Sequence, residues 1–370
     1  MTDPTQDLLP EGLEDRLPQS AAAATRIERA MLGVMGAHGY DRVRPPLIEF
    51  ERSMSRRMDG VMTRHMFRFV DPKSLRTLAL RSDMTVQVGR IAATGLADAR
   101  RPLRLCYAGQ VARITGSKLE PRRENLQIGA ELIGRDTVAA AGEIVELAIA
   151  ALEAAGATGI SVDFTLPDLV DTLADGPLPL DPEARERVRR ELDTKDAGGL
   201  VEAGGAAYLP LIHATGAFPE AADKLAALDS TGVLDTRIDG LRQIADRLQG
   251  RARLTLDPSE RHGFEYQSWF GFTLYAEGVR GELGRGGTYC IGGSDEPATG
   301  FSLYPEELVE AVKADEPLGD KLFLPLGHDR DAAEKLRGEG WRTVAALDES
   351  DDAQLLGCSH ILENGEAKAL

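Results

Sequence analysis

The stretch Leu126-Gln127-Ile128-Gly129-Ala130-Glu131-Leu132 carries apolar side chains at one parity and Gln, Gly and Glu at the other. Side chains of a strand alternate between its faces, so this spacing predicts a strand with one core-facing side and one side that holds an amide and a carboxylate around a glycine gap. Such a face can floor a pocket for a small polar ligand. Taken alone it also fits the wet side of an antiparallel sheet.

Upstream, Leu103, Leu105, Tyr107 and Val111 alternate in the same way, which makes Thr115 to Arg123 a long hairpin connection between two strands. Ala24, Ile27, Met31 and Val34 recur at helical spacing after Ser20, and Gly39 closes that helix. The next segment, Tyr40 to Ile48, contains Pro45-Pro46 and reads as an extended edge, a natural place for another chain to dock. Downstream, Thr137 opens a helix that stops near Gly156, and Ile160, Val162, Phe164 and Leu166 alternate as a strand. Residues from about 173 to 250 read as a helical insertion. Strands resume at Arg253 to Leu256 and Gly263 to Tyr275, followed by a glycine-dense turn from Gly281 to Gly293. After Pro317 a strand, a helix from Arg330 to Glu339 and a strand suggest a small α/β appendage. The expected organisation is an α+β core over 1–316, its mainly antiparallel sheet flanked by helices, and an appendage over 317–370.

Sixty acidic residues against 43 basic ones give a formal charge of −17, which disfavours binding to a polyanion. Cys106, Cys290 and Cys358 lie far apart without metal-site spacing and read as buried thiols in a reducing cytoplasm. The first residues lack the basic and apolar regions of a secretory leader, and no window approaches the roughly 18 apolar residues of a membrane span. There is no HExxH, no GxSxG and no phosphate-loop ending, so metal hydrolysis and serine acylation have no support. No cofactor or metal is expected.

Besides Gln127 and Glu131, two clusters can carry chemistry. Asp83 and Thr85 in Leu80-Arg81-Ser82-Asp83-Met84-Thr85 would share a side if the segment is extended, or would cap a helix. Arg261-His262-Gly263-Phe264-Glu265-Tyr266 joins a guanidinium to a phenol. The glycines from Gly281 to Tyr289 read as a flexible wall that lets backbone approach a ligand.

In order along the chain, Leu9-Pro10-Glu11-Gly12, Tyr40 to Ile48, Leu80 to Thr85, Tyr107 to Glu131, Arg261 to Tyr266, Arg285-Gly286-Gly287-Thr288-Tyr289 and Ala298-Thr299-Gly300-Phe301 resemble the landmarks of the histidyl-tRNA synthetase catalytic core, a class II aminoacyl-tRNA synthetase fold. The resemblance implies that Asp83, Thr85, Gln127, Glu131, Arg261, Tyr266 and Tyr289 hold a histidine, with Arg113, at the family's α-phosphate arginine position, beside them. In this reading Glu131 and Tyr266 meet the imidazole, Asp83, Thr85 and Gln127 the ammonium group, and Arg261 the carboxylate.

The chain departs from that family where ATP and tRNA would bind. Glu307 stands at the γ-phosphate arginine position, Pro305 interrupts the start of its helix, Thr115 replaces a glutamate, Pro121 precedes Arg122-Arg123, and the tail is shorter than an anticodon-binding domain. A glutamate facing a triphosphate turns attraction into repulsion. These losses resemble the synthetase-like regulatory subunits of ATP phosphoribosyltransferase. That resemblance implies a noncatalytic, dimer-forming chain that assembles with a short catalytic subunit and transmits feedback by L-histidine, without tRNA or membrane. The alternative is a histidine-activating synthetase or ligase, and a third reading is a metabolite sensor with some other partner.

Overall fold

The computed structural model describes residues 8–55, 66–116, 121–248, 250–260, 267–292, 294–313 and 319–370. It divides into two compact units, Met1–Lys313 and Ala314–Leu370. In chain order the strands of the first unit are β1 (Asp41–Arg42), β2 (Ile48–Phe50), β3 (Arg68–Val70), β4 (Thr77–Leu80), β5 (Leu103–Ala112), β6 (Glu124–Ile133), β7 (Ser161–Thr165), β8 (Gly216–Ala217), β9 (Arg253–Leu256), β10 (Gln267–Tyr275), β11 (Gly284–Cys290) and β12 (Pro297–Leu303). Among the described residues, nine of these form one sheet in the order β1-β5-β6-β12-β11-β10-β7-β9-β8. Its central strands, from β5 to β7, are antiparallel, while β1 joins β5 and β9 joins β7 in parallel. A separate three-stranded sheet has the order β2-β4-β3.

The expected hairpin is the β5–β6 pair, with Tyr107 opposite Gly129 and Leu105 opposite Glu131. One face of the large sheet carries Ile128, Ala130, Leu132, Phe270, Phe272 and Phe301, and these join the main core with the helices Pro18–Ala37 and Val138–Ala154. The first helix begins at Pro18, not after Ser20, because a proline in the first turn has no N–H to leave unpaired. It buries Ile27, Met31 and Met35, with Val34 only half-buried. The second helix is capped as its sequence predicts: Thr137 accepts the Ala140 N–H at 3.2 Å, and Gly156 follows its end at φ +100°. Arg104 grips Glu143 at 2.7 and 2.8 Å while Tyr40 donates to the same carboxylate at 2.9 Å, bracing β5 against that helix. Arg104 and Tyr40 together hold the Glu143 carboxyl below the usual range.

Between β7 and β9 the chain makes an excursion of helices, among them Pro182–Asp193, Phe218–Leu228 and Asp235–Arg247, with the two-residue β8 inside it. Asp181 and Asp196 cap two of these helices by accepting backbone N–H groups at 2.8 and 2.9 Å.

The glycine-dense segment Gly281 to Gly293, whose last residue lies outside the described residues, is neither one continuous turn nor a flexible wall: Gly284–Cys290 form β11, in the middle of the sheet. Glycine serves close packing here: a Cβ on Gly286 would lie 2.4 Å from the Gly300 carbonyl oxygen and 2.5 Å from Phe272 Cζ, and one on Gly284 would lie 2.4 Å from the Ser302 carbonyl oxygen. Of the cysteines, Cys106 and Cys358 are buried, whereas Cys290 is exposed where β11 reaches the sheet rim.

In the second unit, β13 (Lys321–Leu324), β14 (Arg342–Ala345), β15 (His360–Glu363) and β16 (Glu366–Ala369) form a sheet in the order β14-β13-β15-β16, with the helix Arg330–Gly338 beside it. The β15–β16 hairpin was not anticipated. Its signal was the Asn364-Gly365 dipeptide, whose φ values of 50° and 83° suit the tight turn that two-residue hairpins prefer.

Because the Gly286 Cβ would meet backbone on one side and a buried ring on the other, Gly286→Ala should cost about 1–3 kcal/mol or more. Urea unfolding checks this, and an unchanged midpoint would count against the β11 packing.

Candidate functional site

The other face of the β6 region is polar and buried. Glu131 is 1% exposed, and Gln127, Tyr107, Ser302 and Asp83 are buried with it. Two features of the sheet seat the Glu131 carboxylate. In the β6–β12 register Gly300 lies opposite Glu131, and a Cβ there would stand 1.7 Å from Glu131 Oε2. Each carboxylate oxygen then receives a phenol: Tyr107 donates to Oε1 at 3.0 Å and Tyr289 to Oε2 at 2.8 Å. The paired rows continue from Glu131 and Gly300 to Gly287 of β11 and Gly271 of β10, so a lane without side chains crosses three strands beside the carboxylate.

The space over Gly129 is not an open floor, as the alternation alone suggested. A Cβ on Gly129 would lie 2.4 Å from the Tyr107 hydroxyl, which fills that gap. Tyr107 went unrecognised as a site residue because it sits at the apolar parity of its strand; its position opposite Gly129 in the hairpin is the signal that finds it.

Asp83 and Thr85 come together, though not along an extended segment. The chain leaves β4 at Leu80 and enters the helix Thr85–Ala93, and Asp83 Oδ1 accepts the Thr85 N–H at 2.7 Å. Arg81 anchors this bend by donating to the carbonyls of Gln110 at 2.6 Å and Pro45 at 2.9 Å. Gln127 joins it to β6: its Oε1 accepts the Met84 N–H at 2.8 Å and its Nε2 donates to Ser302 at 2.8 Å. Asp83 Oδ2 is buried with no hydrogen-bond partner among the described residues.

Burial dominates the electrostatics. It pushes the Glu131 carboxyl up to about 8, against the opposing pull of the Tyr289 and Tyr107 hydroxyls. Burial also raises Asp83, opposed by its hydrogen bonds to Thr85 and by the charge of Arg113. Arg113 itself faces the Tyr304 ring at 5.5 Å and reaches its hydroxyl at 3.4 Å. A pocket lined by Thr85, Val86, Gly89, Tyr289, Cys290 and Ile291 opens beside the network. Arg261 and Tyr266 lie outside the described residues.

Glu307 does not stand as an unmatched negative charge. Arg122 pairs with it at 2.8 Å and with Glu14 at 2.8 Å, and Glu310 is 3.9 Å away. Pro305 precedes, and does not break, the helix Glu306–Val312, since proline is tolerated where a helix starts. Glu306 receives the Leu126 N–H at 2.5 Å and pairs with Arg16. Arg123 lies 4.8 Å over the Phe67 ring and donates to the Glu11 carbonyl at 3.1 Å. Arg122 and Arg123 are thus engaged by neighbours.

Residues 12–308 match the family model described as Histidyl-tRNA synthetase. The ATP phosphoribosyltransferase regulatory subunit of Rhodospirillum centenum is 41% identical, with 99% of this chain and 97% of that protein covered. That of Paramagnetospirillum magneticum is 41% identical, with 96% of each covered. The chain belongs to the ATP phosphoribosyltransferase regulatory subunit family, whose fold is that of histidyl-tRNA synthetase. A crystal structure from Bacillus halodurans C, described as an ATP phosphoribosyltransferase regulatory subunit/histidyl-tRNA synthetase, superposes with a TM-score of 0.80 at 25% identity and covers 96% of this chain and 97% of its own. The histidyl-tRNA synthetase of Nostoc sp. PCC 7120, at 15% identity and a TM-score of 0.76 over 96% of this chain and 90% of its own, shares the fold. Family membership bears out the class II synthetase-like architecture expected from the ordered landmarks.

The Glu131 environment has a measurable consequence. Its carboxyl holds a proton up to about 8 in the folded chain against 4.5 as the ordinary value, so between these values the folded state binds more protons than the unfolded state. The contribution of this group to stability therefore falls as pH rises across that window, by at most about 1.4 kcal/mol per pH unit. Glu131→Gln removes the titration, and the stability of the variant relative to the parent should climb from pH 5 to pH 8 in urea unfolding. A difference that stays level across the range would refute the buried, proton-retaining carboxyl.

Proposed function

We propose that this chain is a noncatalytic regulatory subunit of ATP phosphoribosyltransferase, acting in the cytoplasm in the first step of histidine biosynthesis. It assembles with a short catalytic subunit, supports that subunit's activity and makes it sensitive to L-histidine. The observation that carries the reading is a site with two buried carboxyl groups, one with an oxygen that has no partner among the described residues, in a chain whose relatives bear the regulatory-subunit name. Histidine complements both acids. Its imidazole meets Glu131 and Tyr266, its ammonium group meets Asp83, Thr85 and Gln127, and its carboxylate meets Arg261. Tyr289 aims Glu131 from the other side, and Arg113 supplies positive charge near Asp83.

The region around Glu307 favours regulation over adenylation. Arg122 is neutralised by Glu307 and Glu14, which leaves it poorly placed to attract a triphosphate. Neither tRNA nor a cofactor has a role in this reading. Feedback follows if histidine binds one state of the complex more tightly than another, because a ligand shifts an equilibrium only by its differential affinity.

Self-association as a dimer is part of the proposal, and the three-stranded sheet supports it. Its registers put Ile48, Phe50, Phe69, Leu78 and Leu80 on one face, with Ile48 and Phe69 each 41% exposed. An apolar face of this kind is the usual mark of an interaction surface. Phe69→Glu should shift the chain towards monomer in sedimentation velocity, and an unchanged oligomer would remove this face from the interface.

The decisive experiment is co-purification with the short phosphoribosyltransferase chain, followed by assay of the complex with and without histidine. Glu131→Ala should leave assembly intact while weakening histidine binding about tenfold to a hundredfold in calorimetry, the loss expected for one hydrogen bond to a charged group. Unchanged affinity would defeat the assignment of the site. Histidine-dependent pyrophosphate exchange would instead establish the adenylating alternative.

A further inference from the structure

Tyr107 is more than packing beneath Glu131, because a connected set of buried hydrogen bonds meets at its hydroxyl. The Met84 backbone N–H can only donate, so the Gln127 atom it meets at 2.8 Å is the amide oxygen. Gln127 Nε2 must then face Ser302 and donate to its hydroxyl at 2.8 Å. Ser302, accepting from Gln127, shares a hydrogen bond with Tyr107 at 3.1 Å in which either hydroxyl can donate. Thr85, on the first turn of the helix, stands 3.1 Å from the same phenol oxygen. A phenol has one proton, and that of Tyr107 goes to Glu131 Oε1 at 3.0 Å.

We infer that Tyr107 is a positioning residue for ligand recognition: its hydroxyl links Glu131 Oε1 to a hydrogen-bond chain that runs from the Met84 N–H through Gln127 and Ser302, and so holds the Glu131 carboxyl in place for the ligand. The inference rests on the reading of Glu131 as the imidazole contact. Gly129 is the structural condition for this arrangement, since any side chain there would displace the Tyr107 hydroxyl. Burial works against ionisation of Glu131 and keeps its carboxyl protonated up to about 8, while the Tyr107 hydroxyl pulls the other way. Oε1 is thereby aimed for a group that donates N–H, as an imidazole ring does, and gives up its proton more readily than burial alone would allow.

Tyr107→Phe removes one oxygen and keeps the ring, and Ser302→Ala interrupts the chain one step earlier. The full-length chain is measured in two ways, by calorimetry with L-histidine at pH 7 and by carbon-13 NMR of the Glu131 carboxyl without ligand, assigned by its loss in Glu131→Gln. Tyr107→Phe should weaken histidine about tenfold or more and raise the Glu131 midpoint by about one pH unit. Ser302→Ala should move both in the same direction by less, and it carries the test if Tyr107→Phe fails to fold. A midpoint that rises in neither folded variant overturns the inference, whatever happens to affinity, because an affinity loss with the titration unmoved would come from packing alone. If the parent chain binds no histidine, the function reading fails on the calorimetry while the midpoint still decides the role of Tyr107.

Discussion

A carboxylate without a nearby cation among the described residues is costly to bury, and the sheet is organised around seating one. Glu131 lies flat over Gly300 because the β6–β12 register brings those two positions together, and no larger residue could face it. Phenols from β5 and β11 then close on its two oxygens, so three of the four strands around it contribute either a donor or a gap. Shifting β6 by one residue would exchange Glu131 for Ala130 or Leu132 and turn its apolar set away from the core. The same alternation that buries Ile128, Ala130 and Leu132 under the helices therefore fixes the acid on the opposite face.

Charge is treated differently at the two ends of the site. Around Glu131 and Asp83 the acids are desolvated and met, among the described residues, mainly by neutral donors, which leaves both carboxyls raised and one oxygen of Asp83 without a partner there. At the helix Glu306–Val312, glutamates are matched by arginines: Glu306 by Arg16, and Glu307 by Arg122. The first arrangement stores a demand for a ligand that donates N–H or carries positive charge. The second satisfies itself, and a polyanion placed there would have to compete with existing ion pairs.

The sequence made the β5–β6 hairpin legible because both strands alternate strictly and a polar loop separates them. It made the capped helix Val138–Ala154 legible through Thr137 and Gly156. The glycines of β11 misled, since glycine in isolation signals a turn, and the need for it here comes from the Gly300 and Ser302 carbonyls of a neighbouring strand distant in sequence. Asp83 and Thr85 were identified by their order among the landmarks, while the bend that joins them depends on Arg81 reaching Pro45 and Gln110. Ser302 was invisible for the same reason as Tyr107. Each matters through a partner that only the sheet register supplies.

The helix Thr85–Ala93 gives the site a physical link to the exposed three-stranded sheet. Its first turn is tied to the ligand face, with the Met84 N–H on Gln127, the Thr85 N–H on Asp83 and the Thr85 hydroxyl beside Tyr107. Further along, Gln87 and Arg90 hold Glu49 of β2, with Arg90 bonding both oxygens at distances from 2.6 to 3.1 Å. Glu49 lies on the opposite face of that small sheet from the apolar Ile48, Phe50 and Phe69. One helix thus touches both the buried acids and the back of the exposed apolar face. In the proposed function, a histidine that draws Asp83 and Gln127 towards itself would act on the start of this helix, and the ion pair at Arg90 would carry the displacement to β2. Differential affinity at Glu131 would then have a mechanical route to quaternary structure through contacts that are buried at one end and charge-assisted at the other.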